Sequence, residues 1–332
     1  MKKYRSIFCL FLVALVLMSL TCGCGKNDLM KLRLNEVVRS IFYTPQYVAI
    51  SQGFFEEEGF EIELTTGQGA DKTMTALLSG QCDIGFAGPE ACIYVYEQGK
   101  EDYAIIFTQL TQRDGSFLVG REPDPDFTWE KTKGKTIIGG RPGGVPQMTL
   151  EYILKQHGLI PGEDLEMITN LQFTATAGAF KGGIGDYVAE FEPTGSIMEK
   201  ENAGSIVASI GKDSGLIAYT SFFAMKSYIE ENPDIIQRFT NAIYKAQLWV
   251  RDHSAEEIAE AIKPFFLDAD DEILLAVINR YREVGTWKEE PISVIENYDL
   301  LQEVMITAGE LDEKIDITQI IDNTFAEKAM EQ

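Results

Sequence analysis

Between Gly67 and Pro89 the apolar positions change period twice. Met74, Leu77 and Leu78 share one face of a helix that a Gly-rich turn opens and Ser79-Gly80 closes. Asp83-Ile84-Gly85-Phe86-Ala87 then reads as a buried strand that breaks at Gly88-Pro89. The helix start after Gly69 and the loop after the strand fall at strand ends of an open α/β sheet, where backbone N–H groups face the cleft. Gly69, Ala70 and Gly88 are therefore candidate ligand contacts.

The same pattern returns about a hundred residues later. Ala76, Leu77, Gly80 and Asp83 find Ala179, Phe180, Gly183 and Asp186 at one constant spacing, and the corner Pro89-Glu90 is answered by Glu192-Pro193. Upstream, Arg39 precedes a helix opened by Pro45-Gln46, and Arg141 precedes one opened by Pro146-Gln147, with Gly143-Gly144 leading in. Such self-similarity predicts two similar α/β lobes.

Around this repeat, residues 31–38 alternate as a first strand and residues 61–66 as a second. Residues 103–119 read as one long extended passage carrying the chain to the other lobe, and residues 216–224 as the crossover back. Further strands are expected at 136–139, 165–169, 187–191 and 205–210. From Met225 the pattern turns helical: a helix after Asn232-Pro233, one after Ser254, then 270–284, 291–308 and 317–329, read as scaffold completing the first lobe.

The N-terminus stands apart. Lys2, Lys3 and Arg5 precede an apolar run over residues 7–20, too short for a permanent bilayer span and matched to an export signal. Where it ends, Leu20-Thr21-Cys22-Gly23-Cys24 resembles a bacterial lipobox, with Cys24 fitting as the lipidated residue better than Cys22; Thr21 departs from the aliphatic residue of that pattern. The resemblance implies a signal over 1–23 and a lipid anchor on the outer face of the cell membrane. The mature domain retains Cys82 and Cys92, read as two buried thiols with a disulfide as the alternative.

With 332 residues the chain exceeds one ordinary core. A net charge of −23 argues against nucleic acid and against electrostatic docking on anionic lipid. The two histidines, His157 and His253, provide no catalytic set, and no metal or cofactor site is expected. The acidic run 268–272 lacks the glycine and twelfth-position Glu of a calcium loop and reads as a solvated helix start.

The series Tyr47-Val48-Ala49, Gly53-Phe54-Phe55, Glu58-Gly59-Phe60, Gly69, Ala76-Leu77, Ser79-Gly80-Gln81 and Asp83-Ile84-Gly85 resembles the solute-binding proteins of ABC importers for nitrate, sulfonate, taurine and thiamine-pyrimidine type substrates. The resemblance covers nearly all the mature chain. It implies a periplasmic-binding-protein-like α/β fold: two lobes joined by two crossover strands, with the ligand in the cleft between them. Lobe 1 would take 24–114 and 218–332, and lobe 2 would take 115–217. It also implies a monomer working with an ABC permease and its ATPase, and no enzymatic activity. Thiamine-pyrimidine binders of the family carry Trp-Thr-Pro-Asn after the first strand, where this chain has Val37-Val38-Arg39-Ser40.

The residues themselves point to a small organic solute, acidic or heteroaromatic. Arg39 and Arg141 each follow the first strand of a lobe, so both guanidinium groups could fork onto an acidic group from opposite sides, or each could instead form an ion pair with Glu36, Glu90 or Glu192. Phe42, Tyr43, Phe86, Tyr94, Tyr187, Phe191 and Tyr219 stand near strand ends and could stack on a planar ligand, with part of the set filling cores. Glu90, Glu192 and the Gly144 turn complete the expected site; either Glu could instead serve a helix N-terminus. Hinges are expected near 113–116 and 216–220. Two alternatives stay open: a synthase-like enzyme of the thiamine-pyrimidine branch, which would need clustered His and Cys, and a sensor lobe feeding a signalling partner.

Overall fold

In the computed structural model residues 29–331 are described; the export signal and the cysteines of the lipobox lie outside them. Two five-stranded sheets frame the molecule. The first uses β1 (Met30–Glu36), β2 (Phe60–Thr66), β3 (Ile84–Ala87), β4 (Ala104–Thr111) and β10 (Thr220–Met225) in the order β2-β1-β3-β10-β4. The second uses β5 (Ser116–Gly120), β6 (Thr136–Ile138), β7 (Glu166–Ile168), β8 (Tyr187–Phe191) and β9 (Ser205–Ser209) in the order β7-β6-β8-β5-β9. In each, a first strand sits centrally and parallel to its two neighbours: β1 between β2 and β3, β6 between β7 and β8. An antiparallel strand, β10 or β5, then joins the triple to the fifth strand.

Burial follows this layout. Every residue of β3 and β4 is buried, as strands covered on both faces must be, whereas the edge strand β2 alternates. Helices α1 (Thr44–Ser51), α2 (Ala70–Leu78) and α3 (Glu90–Glu97) lie in the first lobe; α4 (Val145–Gln156), α5 (Thr176–Lys181) and α6 (Thr194–Lys200) lie in the second. Pro45 and Pro146 stand in the first turns of α1 and α4, where a missing N–H costs nothing.

The repeat is structural. Asp83 gives its N–H to the Arg33 carbonyl at 2.9 Å and accepts the Arg33 N–H on Oδ2 at 2.9 Å. Asp186 does the same with Thr136, at 2.7 and 2.9 Å. The glycines three residues earlier, Gly80 and Gly183, have φ of 70° and 96°, a left-handed turn that a side chain would strain. One aspartate per lobe thus ties the entry of its third parallel strand to its first, at Arg33 within β1 and at Thr136 where β6 begins.

Several boundaries differ from expectation. Leu78 is 39% exposed because α2 buries Met74, Ala76 and Leu77 and ends as Leu78 turns outward. Residues 103–119 are not one strand: β4 ends at Thr111 in one sheet and β5 begins at Ser116 in the other. Between them the buried Asp114 turns the chain, its Oδ1 accepting from the Ser116 N–H at 2.7 Å.

The C-terminal helices are α7 (Pro233–Asp252), α8 (Ala255–Ile262), α9 (Asp271–Val284), α10 (Ile295–Ala308) and α11 (Thr324–Met330). Ser254 closes a capping box at α8, and Asp270 caps α9 as a helix start should. Helix α10 begins four residues after Pro291 because the Pro291 carbonyl is taken by Gln109 of β4 and the Ser293 N–H by Asn323. The expected helix over 317–329 is broken at Ile321, which bridges Ile106, while the Asp322 side chain caps Thr324. These helices also reach the second lobe: Lys155 of α4 donates to the Thr307 carbonyl of α10 at 2.6 Å, and Arg280 of α9 reaches Glu192. Cys82 and Cys92 are free and buried.

Candidate functional site

The loops that leave the parallel strands β1, β2, β3, β6, β7 and β8 at their C-terminal ends meet between the two sheets. Where they meet they enclose a cavity of about 370 Å³. This is where an open α/β sheet offers backbone N–H groups and helix N-termini to a ligand.

From the first lobe the walls are Val37, Val38 and Arg39 after β1, Thr66, Gln68, Gly69 and Ala70 after β2, and Gly88 and Glu90 after β3, with Tyr43 below. The second lobe adds Gly140, Arg141, Gly144 and Val145 after β6, and Phe191 at the end of β8. Tyr219 and Thr220, from the second crossover, close the floor.

Arg39, Tyr43, Gly69, Ala70, Gly88, Glu90, Arg141, Gly144 and Tyr219 therefore line one cavity. Phe42 and Glu192 do not. Phe42 is fully buried behind the wall, its ring packed on Tyr43, Phe191, Tyr219 and Tyr281, because it precedes α1 on the face turned to the core. Glu192 is consumed by the protein: its carboxylate accepts from the Ser196 N–H at 2.8 Å, the Ser196 hydroxyl at 2.9 Å and the Arg280 guanidinium. Of the other aromatics, Phe86 stacks on Phe222 in the core, and Tyr187 packs on Phe127. The Tyr94 hydroxyl ties the lobes by donating to the Gly143 carbonyl at 3.1 Å.

The two arginines stand on opposite lobes, and both already hold carboxylates. Arg39 Nε donates to Glu36 Oε1 at 2.9 Å. Glu36 is fully buried and also accepts from Gln46, Tyr47 and Thr66, so Arg39 is fixed from behind. Arg141 is held loosely. Its Nη2 lies 3.6 Å from Asp71 Oδ1 across the cleft, and both side chains are about half exposed. Such a pair contributes on the order of 0–1 kcal/mol, so another acidic group can replace Asp71 at little cost.

Glu90 is the opposite case. It is 2% exposed, and its Oε2 has no hydrogen-bond partner among the described residues. A Cβ on Gly88 would stand 2.0 Å from that oxygen, so only glycine lets the carboxyl fold back against the loop. Burial pushes Glu90 up to about 7; Arg141 and nearby N–H groups at helix starts oppose the shift without cancelling it. Beneath it, the buried Tyr219 hydroxyl and Asp114 carboxyl interact with each other, and burial pushes Asp114 up to about 6.

Sequence reasoning missed residues 171–174, which overhang the cavity from the second lobe, with Phe173 38% exposed. A signal was present. The spacing that carries Ala76 to Ala179 carries Gln68 to Leu171 and Ala70 to Phe173, so the repeat assigns this segment to the cleft.

The NMT1-like family model matches residues 37–263. A protein of Bacillus subtilis (strain 168) named as the binding protein YtlA is 45% identical over 324 residues, 97% of this chain and 95% of its own length. A second B. subtilis protein, named for binding aliphatic sulfonates, is 25% identical over 97% of this chain and 96% of its own. Among solved structures, the alkanesulfonate-binding protein SsuA of Xanthomonas axonopodis pv. citri, bound to MOPS, superposes with a TM-score of 0.69 at 17% identity, covering 89% of this chain and 98% of that one. The desulfurization enzyme DszB shares the fold at a TM-score of 0.64 and 13% identity, over 91% and 99% of the two chains, so the fold alone does not separate binding from catalysis.

Proposed function

The chain belongs to the NMT1-like family, and on that premise we propose that it is the solute-binding component of an ABC importer, capturing a small organic acid between its lobes. The observation that carries this reading is the cavity of about 370 Å³, whose walls come from the strand-end loops of both lobes. A ligand touching both walls favours the closed arrangement by its differential contacts, and the closed form is what a permease can recognise.

The residues divide the work. Arg141 takes the acidic group of the solute in place of Asp71, and Arg39, fixed by Glu36, adds positive potential from the other lobe. Val37, Val38, Phe173 and Phe191 hold the apolar body. Glu90, protonated below about pH 7, hydrogen-bonds the polar far end, with the Tyr219 hydroxyl beside it. Gly69, Ala70, Gly88 and Gly144 let the backbone approach the ligand, and Tyr43 supports the floor. The names of the relatives make aliphatic sulfonates the first candidates.

In this reading the chain is exported, anchored through Cys24 on the outer face of the cell membrane, and monomeric. Among the described residues no helix is long and apolar enough to cross a membrane. Thermal unfolding of the mature protein against aliphatic sulfonates, nitrate, aromatic carboxylates and pyrimidines tests the proposal. A ligand selective for the native state at 100 times its Kd adds about 2.7 kcal/mol, a shift readily measured. A shift with an organic acid that shrinks in Arg141→Ala supports it; a shift undiminished with Arg39 and Arg141 both changed to Ala contradicts it.

A further inference from the structure

Glu90 is the first residue of α3, and the face of that helix that carries it is docked on the second lobe. One turn further along, the Tyr94 hydroxyl donates to the Gly143 carbonyl at 3.1 Å and lies 3.8 Å from Met148 Sδ of α4. Arg141, two residues before Gly143, is the charged group that acts on the Glu90 carboxyl, and the Val145 N–H at the start of α4 acts on it too. On its own side the carboxyl is folded against Gly88, and its Oε2 has no hydrogen-bond partner among the described residues. The carboxyl therefore lies in the seam between the lobes, and its burial depends on that seam staying shut.

Two arrangements of the lobes thus give one carboxyl two environments. With the lobes apart, water reaches Glu90 and it ionises as an ordinary glutamate. With them together it is dry, and the loss of hydration outweighs the pull of Arg141 and the N–H groups, which pushes it up to about 7. Tyr43 ahead of α1, Cys92 and Tyr94 on α3, and Tyr219 on the second crossover also face it, and burial pushes all four upward, away from neutrality. Asp71 reaches Arg141 from the far side, and Glu310 lies against Gly143. Asp114, pushed up to about 6, sits in the first crossover and meets Tyr219.

Resting on the reading that the lobes open and close, we propose that Glu90 is a pH-sensitive latch: closure takes a proton onto its carboxyl, and ionisation of the shut form drives the lobes apart. The closed form holds the proton more tightly than the open form, so acid favours closure and the advantage is lost as pH rises through about 7. Between pH 8 and pH 5.5 the closed-to-open ratio should rise roughly tenfold or more. A solute captured by closure is held more tightly in acid for the same reason, with no contact between solute and Glu90 required.

Double electron–electron resonance on the solute-free protein, spin-labelled at Lys72→Cys and Glu163→Cys on the two lobes, tests the latch without knowledge of the solute. The expected result is a short-distance population that grows as pH falls from 8 to 5.5. That growth is lost in Glu90→Gln, whose neutral side chain leaves the short distance populated at pH 8. Asp114 is present in both proteins, so the difference between them belongs to Glu90. Equal pH dependence in the two proteins overturns the proposal, as does a wild-type distribution that pH leaves unchanged. With a solute that raises thermal stability, calorimetry at pH 7 in phosphate and in Tris reads the proton directly: about half a proton taken up per solute in the wild type and none in Glu90→Gln. Equal uptake in the two also overturns the latch. Refusal of every solute would count against the organic-acid reading alone, because the resonance measurement contains no solute.

Discussion

Glu90 and Glu192 occupy answering corners of the two lobes, each next to a proline after the third parallel strand of its sheet, and they are equally buried at 2% and 1%. Their fates differ because of what else reaches them. Helix α9 brings Arg280 to Glu192, and Ser196 of α6 supplies two more donors. Glu90 has the half-exposed Arg141 and nearby backbone N–H groups but no ion pair, and its Oε2 is left beside the cavity without a partner among the described residues. A repeat of local sequence therefore builds two similar frames, and the unrepeated C-terminal helices decide which corner is structural and which is available to a ligand.

The largest expected effect lies on the satisfied side. Arg280→Ala leaves the Glu192 carboxylate buried without its cation and should destabilise the fold by about 3–5 kcal/mol in urea unfolding. If the loss were below about 1 kcal/mol, the contrast between the corners would fail.

On the unsatisfied side the sign reverses. A carboxyl raised from 4.5 to about 7 on folding binds its proton more tightly in the native state. Its contribution is fully present below the unfolded pKa and is lost as pH rises through the folded value, a loss on the order of 3 kcal/mol between pH 4.5 and 7.5. Glu90→Gln should remove that loss, so the variant gains on the wild type as pH rises from 5 to 8. Parallel stability curves for the two proteins would refute it. Asp114, raised to about 6, adds a loss of the same sign in both proteins and does not disturb the comparison.

Arg141→Ala sharpens the comparison at the cleft. Its stability should stay within about 1 kcal/mol of wild type, since the pair with Asp71 is half exposed, while affinity for an acidic solute falls by roughly ten- to a hundredfold. The smallest effect belongs to Leu78→Ser at the exposed end of α2, expected within about 0.5 kcal/mol, whereas Leu77→Ala on the buried face should cost about 2–5 kcal/mol.

Much of the frame was legible in the chain. Local signals suffice where one residue makes a local interaction: the prolines opening α1 and α4, the capping box at Ser254, and the aspartates of the two lobes, whose equal spacing reflects equal bonds to the first strands. The broken helix at Ile321 and the late start of α10 were illegible because distant strand β4 claims their backbone groups. At the site, the strand-end glycines and both arginines could be placed from the repeat. The pair of Arg39 with Glu36 was one of the alternatives the chain offered, and it formed; the pair of Arg141 with Asp71 was not, since Asp71 lies on the other lobe and carries no mark of its direction. Glu192 looked like Glu90 until Arg280, 88 positions away, was seen to meet it.

The central claim is that a solute seated between the lobes draws them together. Double electron–electron resonance between spin labels at Lys72→Cys and Glu163→Cys, exposed positions on the two lobes, measures this directly. With the acidic solute that raises thermal stability, the account predicts that a broad or bimodal distance distribution collapses to one short distance, and that Arg141→Ala needs a roughly ten- to a hundredfold higher solute concentration for the same change. Saturable binding that leaves the distribution as it was would contradict capture by closure.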